Sequence, residues 1–128
     1  MAAIVADTHA ALWYLTDNPK PATAARALDA ASASGDPILI SSISLVEMTY
    51  LVEKGRLPVE ARQRLVDALG DPEGPYELAD LDAQVADAVE RIDRDTIPDM
   101  PDRIIAATAL ARALSWSAAT AESALPTF

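Results

Sequence analysis

The chain has 128 residues, no cysteine, one histidine and a formal net charge of −10. That length suits one compact domain with its own core, while the missing thiols exclude disulfides and the lone histidine makes a His-rich zinc site improbable, so a bound metal would take oxygen donors and be Mg²⁺ or Mn²⁺. The charge counts against a general nucleic-acid coat protein, and with no long apolar run and no basic leader the expectation is a cytoplasmic protein without a membrane span.

Short apolar runs alternate with helical patterns along the chain. Ala2 to Ala6 reads as a brief strand. From His9 to Thr16, Ala11, Leu12 and Leu15 recur at helical spacing until Pro19 and Pro21 interrupt. Thr23 to Ser34 is alanine-rich and helical in character, and Gly35-Asp36-Pro37 makes a turn. Ile38 to Ile40 is a β-branched apolar run, a second buried strand. Ser44 suits a helix N-cap with Glu47 at capping-box spacing, and that helix runs to about Lys54, where Gly55 ends it. Pro58 marks the start of a helix reaching about Leu69, before Gly70-Asp71-Pro72. Tyr76 to Ala79 reads as a strand, Asp82 to Ile92 as a helix and 97–101 as a proline-rich loop. Asp102 then opens a helix to about Leu114. Strands separated by helices imply a parallel sheet covered on both faces, in a single α/β domain over 1–128.

Three acids fall at element boundaries. Asp7 follows the first strand, Glu47 lies in the first turn after the second, and Asp102 begins the last helix. Open parallel sheets place their ligand crevice at the carboxyl ends of the strands. Carboxylates gathered there could hold a divalent cation, which activates water and offsets charge on a phosphoryl group. Each acid also has a plainer reading. Asp7 could cap the first helix, Glu47 could complete a capping box, and Asp102 could answer the helix dipole. Spacing alone does not show that the three meet.

Three strings carry a family resemblance. They are the segment Val5-Ala6-Asp7-Thr8-His9-Ala10-Ala11-Leu12-Trp13, the segment Ile40-Ser41-Ser42-Ile43-Ser44-Leu45-Val46-Glu47-Met48, and the segment Asp99-Met100-Pro101-Asp102-Arg103-Ile104-Ile105-Ala106-Ala107-Thr108-Ala109. In this order they resemble the motifs of VapC-type PIN-domain toxins, and Leu51 to Pro58 is also similar, so the likeness extends to about Leu114. The resemblance implies a PIN-like α/β/α sandwich with a short central parallel sheet. It implies a Mg²⁺- or Mn²⁺-dependent endoribonuclease toxin, paired with a VapB-type antitoxin and homodimeric. Asp7 and Asp102 would be the principal metal ligands and catalytic acids, with Glu47 completing the site. Asp99 matches an additional acid of the third motif. Thr8 and Ser44 would orient carboxylates or simply cap helices. His9 would pack or line a substrate rim, Trp13 and Tyr14 would serve core or interface, and Arg103 would touch phosphate or lie on a helix surface.

The tail departs from the family. After Leu114 an apolar strand and a fourth acid are expected, but the chain reads Ser115-Trp116-Ser117-Ala118-Ala119-Thr120-Ala121-Glu122. In direct register Thr120 takes the acid's place, and a two-residue shift puts Glu122 there. Permitted codons for Leu114 to Phe128, read in a shifted frame, yield Q-L-V-S-R-D-G-R-V-R-A-A-D-V, which restores the family's motif. A frameshifted tail from about 115 would lack the fourth carboxylate, and the gene's nucleotide sequence decides that. The expectation is weakened metal binding and, as the alternative to an active nuclease, a degenerate PIN domain that acts as an antitoxin-binding module.

Two other acidic-site folds fit poorly. A receiver domain needs a late lysine, whereas the only lysines are Lys20 and Lys54. A D-x-D phosphatase motif fails at His9. An RNA groove on so acidic a chain must be locally basic, which nominates Lys54, Arg56, Arg62, Arg64 and Arg103.

Overall fold

A computed structural model describes residues 4–15, 29–30 and 33–112. Its elements are β1 (Ile4–Ala6), α1 (Thr8–Leu15), β2 (Ile38–Ser41), α2 (Ser42–Glu53), α3 (Val59–Leu69), β3 (Tyr76–Ala79), α4 (Ala83–Val89) and α5 (Met100–Ala111). The three strands form a parallel sheet in the order β1-β2-β3. Ile4 pairs with Ile38, which in turn pairs with Tyr76, so the strands start level and their carboxyl ends finish together.

β1 and the Ile38–Ile40 run of β2 are apolar and buried because both of their faces are covered, whereas Glu77 and Leu78 of the edge strand β3 are exposed. On one face Ile4, Ala6, Ile38, Ile40 and Tyr76 pack with Ala10 and Leu12 of α1, Met48 of α2, and Ala61 and Leu65 of α3. On the other, Val5, Leu39 and Ala79 pack with Ile105 and Ala109 of α5. The alternation of Ile4 and Ala6 against Val5 follows from the two-residue period of a strand. α4 leans on α5 through Val85, Ala88 and Ala107. The arrangement is the α/β/α sandwich expected from the sequence.

Local chemistry sets the element boundaries. Gly35 and Gly55 take positive φ angles of 77° and 72°, a conformation costly for a residue with a Cβ, and they turn the chain into β2 and out of α2. Asp82 caps α4 by accepting from the Val85 amide at 3.0 Å. The guanidinium of Arg103 joins α5 to the end of α4: its Nη2 donates to the carbonyls of Val89 and Ile92, both at 3.0 Å. Those carbonyls lie at and just past the end of α4, where a helix leaves acceptors over and favours a cation.

Several expected boundaries move. The second long helix begins at Ser42, because Ser41 takes the cap with an extended backbone and accepts from the Ile43 amide at 3.2 Å. Ser44 is therefore inside the helix and not its cap, and Glu47 stands in the second turn. The last helix opens at Met100 and not Asp102, because Asp99 is its N-cap. Pro58 and Asp82 are caps, one residue ahead of their helices. Of the predicted 23–34 helix, Asp29, Ala30, Ala33 and Ser34 are helical and the remainder lies outside the described residues, as do residues 113–128 with Glu122, and the side chains of Trp13 and Tyr14.

Leu65 is fully buried between α3 and the sheet, so Leu65→Ala should lower the unfolding free energy by about 2–5 kcal/mol in urea denaturation. Val59→Ala, at a position 60% exposed on the same helix, should change it by no more than about 0.5 kcal/mol.

Candidate acidic site

Asp7 directly follows β1 and is almost wholly buried. Its Oδ1 accepts from the Ala10 amide at 2.7 Å, so it caps α1 and sits at the positive end of that helix. Thr8, the first residue of α1, reaches across to α2: its Oγ1 is 2.8 Å from Ser44 Oγ and 2.6 Å from Glu47 Oε1. At the start of α5, Asp99 Oδ2 accepts from the Asp102 amide at 3.1 Å, which fixes Asp99 as cap and Asp102 in the first turn. The amino ends of α1 and α5 and the opening turns of α2 thus supply the acids that the sequence singled out.

Electrostatics shows which of these groups share a neighbourhood. The Asp102 carboxyl is pushed up to about 7 from 3.8, first by burial and then by the negative charges of Asp99, Asp7 and Glu47. Glu47 is also raised, mainly by burial, with the Thr8 hydrogen bond opposing and Asp99 adding. Burial lowers His9, and Asp99 pulls it back upward, so at neutral pH the imidazole is chiefly uncharged. Asp99 acts on all three of these groups. The family resemblance gave it only as an additional acid of the third motif; its cap role and its charge set it near the other acids. The signal was present as an acid three residues ahead of Asp102, the spacing of a cap.

Arg103 has a different task from the phosphate contact suggested by its place after Asp102. Its side chain is directed to the carbonyls at the end of α4. A helix turns about 100° per residue, so neighbours in sequence face different ways.

The donor chemistry fits a hard divalent cation: carboxylate oxygens, repelling one another, with no thiolate near. Among the described residues no three acidic or histidine groups already stand together as a ready ligand set.

A family model for the PIN domain matches residues 4–124. The chain belongs to the PIN-domain family. PIN domains are typically nucleases and generally metal-dependent. No curated protein matches the sequence, whereas eleven chains of solved structures do match. One is a chain in the crystal structure of VapBC2 from Rickettsia felis bound to a DNA fragment from their promoter, with 20% sequence identity, a TM-score of 0.63, and coverage of 89% of this chain and 85% of that one. At that identity the likeness establishes the PIN fold, a mixed α/β structure around a parallel sheet.

The raised carboxyls make a stability prediction for metal-free protein. Asp102 binds its proton more tightly when folded than when unfolded, so its contribution is full below about 4 and lost as pH rises through about 7. Glu47 has the same sign. The melting temperature in EDTA should therefore fall between pH 4.5 and 8, with a shallower fall in Asp102→Asn. Parallel curves for the two proteins would show that Asp102 is not the group responsible.

Proposed function

We propose that this PIN domain, read as one unit over residues 1–128, is a metal-dependent endoribonuclease, the toxin of a toxin–antitoxin pair. One observation carries the proposal: acids from three separate parts of the chain lie near one another at the carboxyl end of the sheet, where burial first and then the charges of Asp99, Asp7 and Glu47 push Asp102 to about 7. A fold gains nothing in stability from such crowding. It is the arrangement expected where a cation is to be held.

Asp7, Glu47 and Asp102 would hold Mg²⁺ or Mn²⁺, with Asp99 beside them. When bound, the ion would supply a Lewis acid that makes water nucleophilic near neutral pH and offsets charge developing on phosphoryl oxygens. The Asp7 carboxylate accepts from the Ala10 amide and that of Glu47 from Thr8, while the Asp99 cap fixes the backbone of Asp102, so two of the carboxylates and the backbone of the third are placed before a ligand arrives. His9, half-buried and chiefly neutral, is suited to line the rim. Substrate approach must overcome the net charge of −10, and the exposed Lys54 and Arg56, just past the helix that carries Glu47, are the nearest cations in sequence to that acid. Lys54 Nζ stands 5.5 Å from the Tyr50 ring centroid, and more than half of Tyr50 is open to solvent. RNA binding through these cations should weaken with salt.

A VapB-type antitoxin is the proposed partner, supported by the fold shared with a chain of the VapBC2 complex. A homodimer is the proposed assembly. No helix among the described residues is long and apolar enough to cross a membrane; the proposed site of action is the cytoplasm.

The test is cleavage of RNA by the purified protein, free of antitoxin, in Mn²⁺. Wild-type protein should cut, EDTA should abolish cutting, and Asp7→Asn should lower the rate by about a hundredfold or more. Equal cleavage by wild type and Asp7→Asn would assign the activity to a contaminant. A folded, antitoxin-binding protein with no cleavage would favour the degenerate module instead.

A further inference from the structure

Thr8 lies against two acceptors at once, Glu47 Oε1 at 2.6 Å and Ser44 Oγ at 2.8 Å. A threonine hydroxyl has one proton and cannot donate to both. The carboxylate is the stronger acceptor and the closer one, so the Thr8 proton belongs to Glu47 in a charge-assisted bond. Ser44 then donates its own proton to Thr8 Oγ1. The order Ser44 to Thr8 to Glu47 satisfies every group in the chain of bonds. Thr8 is 1% exposed and Ser44 0%, so bulk water has no access to replace either partner.

The position of Thr8 gives this relay a purpose. It is the residue next to Asp7, at the start of α1, while Glu47 lies 39 residues further on in α2. A glutamate side chain has three torsions and is otherwise free to leave a shared site. The bond commits one carboxylate oxygen to the Asp7 end of α1 and leaves the second oxygen uncommitted by Thr8.

We propose that Thr8 is a positioning residue for cation binding, its hydroxyl holding the Glu47 carboxylate beside Asp7 and Ser44 fixing the direction of its proton. The proposal rests on the reading that Glu47 helps to hold a divalent ion. Mn²⁺ is titrated into the purified full chain, with free Mn²⁺ followed by electron paramagnetic resonance and folding by circular dichroism. Thr8→Val should raise Kd about ten- to a hundredfold, the range seen when groups behind metal ligands are lost. Thr8→Ser should stay near wild type, and Thr8→Val should have no further effect in a Glu47→Gln background. Thr8→Ala is read in the same way and stands in should the valine variant not fold. If wild type binds no Mn²⁺, the cation reading itself falls, and this proposal with it. If wild type binds but Thr8→Val and Thr8→Ala bind equally well or more tightly, the positioning role is overturned and the reading of the acids stands. A loss in Thr8→Ser as large as in Thr8→Val, or a further loss in the Glu47→Gln background, overturns it too.

Discussion

Negative charges repel most where water is scarce, and this fold sets Asp7, Glu47, Asp99 and Asp102 close enough to feel one another at one end of its sheet. The chain partly answers that repulsion with its own backbone. Asp7 and Asp99 accept amide hydrogen bonds at helix starts, Asp102 lies in a first turn, and Glu47 has a buried hydroxyl. Helix amino ends carry partial positive charge, which favours carboxylates there. The compensation is incomplete, since burial and, after it, the neighbouring charges still push Asp102 up to about 7. What remains is the repulsion that the proposed divalent cation would offset.

What makes the crowding possible is the sheet. Parallel strands starting level deliver their carboxyl ends to one side, and helices pack on both faces. Alanines matter on the α5 side: Ala106, Ala107 and Ala109 are fully buried and let that helix sit close to its neighbours. Close packing holds the Asp99–Asp102 turn in a fixed relation to β1, and rigid elements of this kind hold side chains more accurately than loops do.

Much of this was legible in the amino acids. The β-branched run at Ile38 and the Tyr76–Ala79 strand stand where the pattern put them, as does the turn at Gly55, because period and turn chemistry are local signals. α2 and α5 start earlier than residue type alone indicates. Ser41, Ser42 and Ser44 are all acceptable caps by type, and only the extended backbone at Ser41 decides among them. Asp99 and Asp102 pose the same ambiguity. The relation of Asp99 to His9 and Glu47, and the turning of Arg103 toward α4, depend on how distant elements pack, which spacing along the chain does not encode.

The Arg103 clasp changes how the surface can be altered. The stretch from Glu90 to Asp99 is mostly exposed and, judged by solvent contact alone, resembles spare chain. Yet the Ile92 carbonyl anchors α5, and Asp99 opens that helix, so lengthening the stretch would loosen the acids from both sides. The exposed turn at 70–73 has no such attachment to them and is the better place to graft a tag or a label.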